Sequence, residues 1–173
     1  SDLVKQVDGL NNGIYLDDDL RNSSKTNFCM GVAGYPEKHF EAPNMNSDIH
    51  FLKKKIEYGA EYIVTQMFFD NQKYFDFVKL CRDNDINVPI IPGLKPLSTV
   101  KHLNVLPHRF HLNLPSELVN EVLKCNDKDD IRQVGVDWAV QQTKELIAFG
   151  APCVHFYTMG NTNNIIKIMS NFC

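Results

Sequence analysis

Short apolar runs that alternate with longer amphipathic stretches constrain this chain most. Four runs are of strand length and rich in apolar residues: Asn27 to Gly34, Tyr62 to Phe69, Val88 to Ile91 and Cys153 to Tyr157. The segments between them carry apolar residues at helical spacing, a pattern that predicts βα units around a parallel sheet, an α/β fold. A complete (β/α)8 barrel takes about 250 residues, with ~200 as a lower limit. At 173 residues and four strands, this chain matches half of such a TIM-type parallel barrel.

Local signals set the expected boundaries. Ser1 to Asp8 reads as a helix end, and the polar segment 9–26, rich in Asn, Asp and Ser, reads as a surface loop. Ser47 or Asp48 caps a helix to about Tyr58, with Ile49, Leu52 and Ile56 inward and Gly59 as its stop. A second helix spans Asn71 to Asn84, with Tyr74, Phe77, Val78 and Cys81 on one face. Pro92 and Gly93 are expected to end the third strand. A short helix follows from Leu97 to Leu106, then a rim segment at Phe110 to Leu112, and Pro115 opens another short helix. After a charged turn at Asn126 to Asp130, the longest helix is Ile131 to Phe149, with Val134, Trp138, Leu146 and Phe149 inward. Gly150 ends it, and Asn163 to Phe172 forms the last helix.

Charge and composition narrow the function classes. With 43% hydrophobic and 23% charged residues the chain can bury a core. Its 18 basic and 21 acidic residues give a net charge of −3, which provides no general attraction for nucleic acid, so any anion site must be local. No apolar run approaches a membrane span, and SDLVKQVDG lacks a basic-then-apolar signal pattern. Five scattered cysteines, never as CxxC, predict reduced thiols and a cytoplasmic setting without metal binding.

In a parallel barrel, ligand chemistry gathers at the carboxyl ends of the strands. Those positions hold Tyr35, Glu37 and His39 after the first strand, Gln66 within the second, Lys95 after the third and Tyr157 at the end of the fourth. Each has a plainer alternative: Tyr35 as a turn anchor against Pro36, and His39 as a surface imidazole. Asp48, Lys54 and Lys55 equally suit a capped, solvated helix face. Gln66 is the most pointed case. An amide inside an apolar strand costs ~1–3 kcal/mol if unpaired, so it serves either a ligand with matching donor and acceptor or the neighbouring backbone. Period-two alternation sets His155 beside Tyr157 on one face and Phe156 on the other.

Taken together, AGYPEKHFEA at Ala33 to Ala42, VTQMFF at Val64 to Phe69, IIPGLKP at Ile90 to Pro96 and VHFYT at Val154 to Thr158 resemble the methylenetetrahydrofolate reductases. The resemblance runs from Asn27 onward in matching order, places residues 1–173 in the carboxyl-terminal part of one catalytic barrel, and implies that the surface loop 9–26 is an insertion, because the family is usually more compact there. It implies FAD as cofactor, lined by Tyr35, His39 and Ala42, with Asp48 for ribose hydroxyls and Lys54 and Lys55 for the pyrophosphate. It also implies that Gln66 and Tyr157 contact folate, whereas Phe68 and Phe69 pack. Departures from the family pattern include Asn161, where relatives often carry a basic residue, and His102, where some carry glutamine. Phe51 also replaces an amide found in some relatives.

The activity so implied is reduction of 5,10-methylenetetrahydrofolate to 5-methyltetrahydrofolate with NAD(P)H, a step of one-carbon metabolism and methionine biosynthesis. The family's general acid comes from upstream strands, so no catalytic residue is expected within this chain, which alone should be inactive. Its expected assembly is a homo-oligomer or a union with the missing barrel half. The alternatives are a non-catalytic half-barrel that binds flavin or folate and joins a partner, and a folate-binding barrel without flavin.

Overall fold

The protein is described here by a computed structural model covering residues 1–17, 19–160 and 162–172. Four strands, β1 (Gly31–Gly34), β2 (Tyr62–Met67), β3 (Ile90–Leu94) and β4 (His155–Phe156), form one sheet in the order β1-β2-β3-β4. All neighbouring pairs are parallel. Sequential order with helical crossovers is the winding of a βα barrel, and the helices are α1 (Asp2–Asn11), α2 (Met45–Glu57), α3 (Asn71–Asp83), α4 (His102–Phe110), α5 (Ser116–Lys124), α6 (Lys128–Phe149) and α7 (Asn163–Met169).

β1, β2 and β4 are shorter than their apolar runs. Residues 27–30 stay outside β1 because pairing begins only at Gly31, opposite Tyr62. Tyr62 covers that glycine so closely that an added Cβ would lie 2.2 Å from its ring. β2 stops at Met67, and Phe68 and Phe69 continue as fully packed side chains beyond the ladder. β4 has only two paired residues.

Pro92 and Gly93 do not end β3, contrary to the sequence expectation; the strand runs through both to Leu94. The adjustment is made next door. Ile63 pairs with Ile90 and Val64 with Ile91, but Met67 pairs with Gly93, so β2 carries one extra residue opposite Pro92. This is a β-bulge where proline has no N–H to give. The Gly93 N–H is taken by the Thr65 hydroxyl at 2.9 Å, and Gln66 lies in the bulge.

Helix ends differ for local reasons. α2 starts earlier than expected because Asn44, rather than Ser47 or Asp48, is its cap, accepting from the Ser47 N–H at 2.9 Å. Asp127 similarly caps α6, accepting from the Asp129 and Asp130 N–H groups, so the helix begins before Ile131. Pro115 is a flanking cap rather than the first helical residue. α4 starts at His102 instead of Leu97, because Leu97 is buried against α6: a Cβ on Gly135 would fall 2.0 Å from the Leu97 carbonyl oxygen. Phe149 is 48% exposed rather than inward, although its ring stacks on Phe75 with centroids 4.3 Å apart. α7 ends at Met169, short of Phe172.

One core lies between the sheet and α2 and α3, built on Ile49, Leu52, Ile63, Phe68, Tyr74 and Leu94. A second, built on Met67, Phe69, Leu97, Leu118 and Ile131, packs beneath α4, α5 and α6. Phe68 and Phe69 thus serve different cores, as their packing role requires. Among the described residues Cys29, Cys81, Cys125 and Cys153 are free thiols, while Cys173 lies outside them, as does Asn161. Among the described residues of 9–26, the end of α1 is followed by mostly exposed chain without helix or strand.

Two outcomes follow. Gly135→Ala should cost ~1–3 kcal/mol, read as a lower denaturant midpoint, since the clash is with backbone that must move. Burial pushes the Cys81 thiol up to about 12, so at pH 8 a thiol reagent should label exposed Cys29 and Cys153 while Cys81 reacts only after unfolding; native labelling of Cys81 by mass spectrometry would contradict its enclosure.

Candidate functional site

The carboxyl ends of the strands bring the sequence-predicted residues into two adjoining groups. Tyr35 and Gln66 line one small cleft together with Lys38, Phe110 and His111. Lys95 and Tyr157 line a neighbouring cavity of about 250 Å³ with Thr99, Arg132 and Thr158. The groups are linked through Tyr157, whose hydroxyl donates to the Thr65 carbonyl at 2.9 Å, next to Gln66. The Lys95 ammonium donates to the Tyr157 carbonyl at 3.3 Å. Gly93 makes this possible, because a Cβ there would stand 2.7 Å from the Tyr157 ring and 2.3 Å from the Thr65 carbonyl oxygen. His155 is set edge-on to Tyr157 at 4.7 Å, and Phe156 turns to the cores, as alternation predicts.

The turn after β1 is self-supporting. The Tyr35 and His39 rings meet edge to face at 4.5 Å, and the His39 N–H donates to the Asp48 carboxylate at 2.8 Å, which ties the turn to the first turn of α2. Lys38, in a left-handed conformation with φ of 77°, folds back to donate to the His39 and Ala42 carbonyls at 2.9 and 2.6 Å. Burial first, and then the charges of Asp48 and Glu41, push the Tyr35 phenol above its ordinary range. Burial also raises Tyr157, with Tyr35 as the second cause, a sign that the two phenols share one region.

Gln66 divides its amide. The side-chain oxygen accepts from the Met67 N–H at 2.9 Å, the neighbouring-backbone bond that the sequence left open. Its NH2 group makes no hydrogen bond among the described residues and remains a donor for a ligand. Lys54 and Lys55 sit in the last turn of α2 without a carboxylate partner among the described residues, and Lys54 lies 5.7 Å from the centroid of the 52%-exposed Phe51 ring. Both lysines stand apart from the Tyr35–Gln66 cleft, whose lining does not include them.

Glu37 is committed elsewhere: both its oxygens accept from the Asn113 N–H, at 3.2 and 3.1 Å, and it also accepts from the Asn113 side-chain amide. It clamps the turn after β1 to the segment before α5. A larger cavity, about 640 Å³, lies in the helix layer and is lined by residues that include Glu37, Asn71, Asn113, Trp138 and Glu145. Its buried amide donors are satisfied internally: Asn71 donates to Glu145 at 2.7 Å, and Gln142 donates to the Asn71 side chain at 3.1 Å. Sequence reasoning missed Thr65 and Arg132, which carry no signal apart from the neighbours that the fold gives them. No group of three or more metal-ligating side chains is found among the described residues, and no described helix is long and apolar enough to cross a membrane.

Comparisons with known proteins bear on this arrangement. Residues 2–173 match the family model described as methylenetetrahydrofolate reductase. The chain is 33% identical over 162 residues to methylenetetrahydrofolate reductase (NADH) 1 of Arabidopsis thaliana, covering 88% of this chain and 27% of that protein. It is 36% identical over 152 residues to 5,10-methylenetetrahydrofolate reductase of Buchnera aphidicola subsp. Baizongia pistaciae, covering 86% and 52% respectively. The chain therefore spans about a quarter of the plant relative and half of the bacterial one. Among solved structures, an uncharacterized protein from Clostridium thermocellum that binds two copies of 5-methyl-5,6,7,8-tetrahydrofolic acid matches with a TM-score of 0.53 at 19% identity, over 81% of this chain and 51% of that one.

Replacing Asp48 by Asn keeps an acceptor for the His39 N–H but removes the charge beside Tyr35. The Tyr35 pKa should therefore fall, with stability changed by about 1 kcal/mol or less; following its ring carbon by NMR across the alkaline range reads this, and an unmoved pKa would separate the carboxylate from the phenol.

Proposed function

The chain belongs to the methylenetetrahydrofolate reductase family, and from that premise we propose that it forms the carboxyl-terminal half of a barrel that reduces 5,10-methylenetetrahydrofolate to 5-methyltetrahydrofolate with NAD(P)H. The observation that carries the proposal is the convergence of Gln66 from β2 and Tyr157, just after β4, on the Thr65 carbonyl and its neighbour. A half-buried amide donor beside a phenol, at the carboxyl ends of parallel strands, suits the polar edge of a pterin.

The residues of the turn and of α2 fit FAD. Tyr35 and His39 offer an aromatic and imidazole wall, Ala42 a small residue on the same turn, and Asp48 a carboxylate acceptor suited to ribose hydroxyls. Lys54 and Lys55 offer two ammonium groups free of carboxylates among the described residues, as a pyrophosphate requires, although each is a point charge rather than a bidentate fork. Bound FAD would supply the hydride relay between NAD(P)H and the folate. This chain's part is orientation: Gln66 holds the pterin edge, Tyr157 walls the substrate, and the Gln66–Met67 bond fixes the amide before the ligand arrives.

Opening of the methylene bridge needs a proton, general-acid work for a carboxyl of raised pKa. Glu37 is tied to Asn113 and Glu41 is mostly exposed, so the acid is assigned to strands outside this chain. β1 and β4 are the sheet edges, and closing a barrel would pair them with those strands in the same protein or a partner. We place this activity in the cytoplasm, within one-carbon and methionine metabolism.

Separate half-reactions of the full-length enzyme test these roles. Lys55→Ala should weaken flavin retention about tenfold, the scale of one charged hydrogen bond. Gln66→Ala should leave flavin reduction by NAD(P)H intact and slow oxidation by the folate about 10- to 100-fold. Equal losses in both half-reactions for Gln66→Ala would remove the pterin role, and a full-length protein that binds folate without flavin would favour the non-catalytic reading.

A further inference from the structure

The cavity of about 640 Å³ in the helix layer lies apart from Gln66 and Tyr157, neither of which lines it. Phe69, Phe75, Leu114 and Trp138 supply apolar walls, and the Trp138 ring is held in place because its N–H donates to the Phe69 carbonyl at 3.0 Å. Around these walls stand the carboxylates of Glu37, Asp70, Glu117 and Glu145, against a single ammonium, that of Lys73. None of these five groups is within ion-pair distance of an opposite charge among the described residues, so the lining carries a surplus of negative charge at one opening.

A second feature is independent of those charges. Gln142 is only 5% exposed, and its NH2 group is committed to two acceptors, the Phe68 carbonyl at 3.3 Å and the Asn71 side-chain oxygen at 3.1 Å. Two acceptors on that side fix which end of the amide is nitrogen, and the oxygen at the other end accepts no hydrogen bond among the described residues. Every fully enclosed side-chain nitrogen or oxygen among them has a partner, so the Gln142 Oε1 is open to the cavity that Gln142 lines. A nearly buried acceptor left open costs free energy until a donor meets it. Glu145, one turn further along α6, accepts from Asn71 at 2.7 Å and from Gln141 at 2.8 Å, which orients its carboxylate beside the same amides.

A ligand that satisfies this wall must bring donors, positive charge and an apolar body. A bare metal ion does not meet these needs: no group of three or more metal-ligating side chains is found among the described residues, and the aromatic walls would stay uncovered. A planar guanidinium or amidinium does, because its N–H donors match carboxylate geometry and its face suits aromatic rings. A volume of about 640 Å³ is room for one small organic molecule.

We propose that this cavity binds a small organic cation of the guanidinium or amidinium class, with Glu117 and Glu145 as its carboxylate partners, Gln142 Oε1 as the inner acceptor and Phe75 and Trp138 as apolar walls. Much of the lining comes from α3 and α6, which follow the two inner strands of the sheet. The site therefore lies away from the sheet edges and does not depend on the folate reading.

Calorimetric titration of the full-length protein with benzamidine, and with benzamide as its uncharged isostere, tests this. Benzamidine should bind about tenfold or more tightly than benzamide, and added salt should weaken benzamidine alone. Glu117→Gln and Glu145→Gln should each weaken benzamidine about three- to tenfold and leave benzamide within about twofold. Glu117 is exposed and unpaired among the described residues, so its variant should keep the melting temperature, flavin content and folate turnover of the wild type, which separates lost binding from lost folding. Equal binding of the two probes would overturn the proposal, as would benzamidine binding that both variants leave unmoved, or no benzamidine binding at millimolar concentration.

Discussion

The site depends on one missing atom group, the Cβ absent from Gly93. Three strands meet around that residue. Its N–H is held by the Thr65 hydroxyl at 2.9 Å, and the Tyr157 ring fills the space a side chain would take. The Tyr157 hydroxyl then reaches back to the Thr65 carbonyl. With any larger residue at position 93, β2, β3 and β4 could not approach as they do, and Tyr157 would be displaced from Gln66. Pro92 acts in concert: lacking a donor, it faces the bulge that sets Gln66 apart from the regular alternation of β2.

From this junction the rest of the arrangement follows outward. Lys95, the next residue but one after Gly93, is carried into the interior, where its amine donates to the Tyr157 carbonyl and burial pushes its pKa down. On the other side, the turn after β1 is kept in place by bonds that do not involve the strands: His39 to Asp48, Lys38 to two carbonyls, and Glu37 to Asn113. The strand junction is rigid and the turn is separately braced, so both can be positioned before a ligand binds. Glu37 is instructive, since a carboxylate near a site invites a catalytic role, yet here it joins two loops.

The energetic weight lies in the layers behind the site. Phe68 and Phe69 are adjacent in the chain but enter different cores. They anchor the end of β2 to both helix layers, so Gln66, just before them, has little freedom to shift. The Asn71, Gln142 and Glu145 network braces the same region on the outer side with paired amide donors. Buried donors that are fully paired specify a geometry without the cost of unpaired ones.

The amino-acid sequence by itself determined the parallel α/β class, the order of strands and helices, the helix faces built on Ile49, Leu52 and Phe77, and the residues that gather at the strand ends. Those features are local: they rest on periodicity, caps and side-chain chemistry that neighbours in the chain can express. The tertiary structure alone decided that β3 runs through Pro92 and Gly93, because its neighbour strand absorbs the missing donor with a bulge. It alone decided that Leu97 is pinned by Gly135 rather than coiled into a helix, that Glu37 is a clamp, and that Lys95 is buried with no carboxylate at ion-pair distance among the described residues. Each of these outcomes turns on a partner far away in sequence, and no local pattern encodes the space that such a partner fills or leaves open.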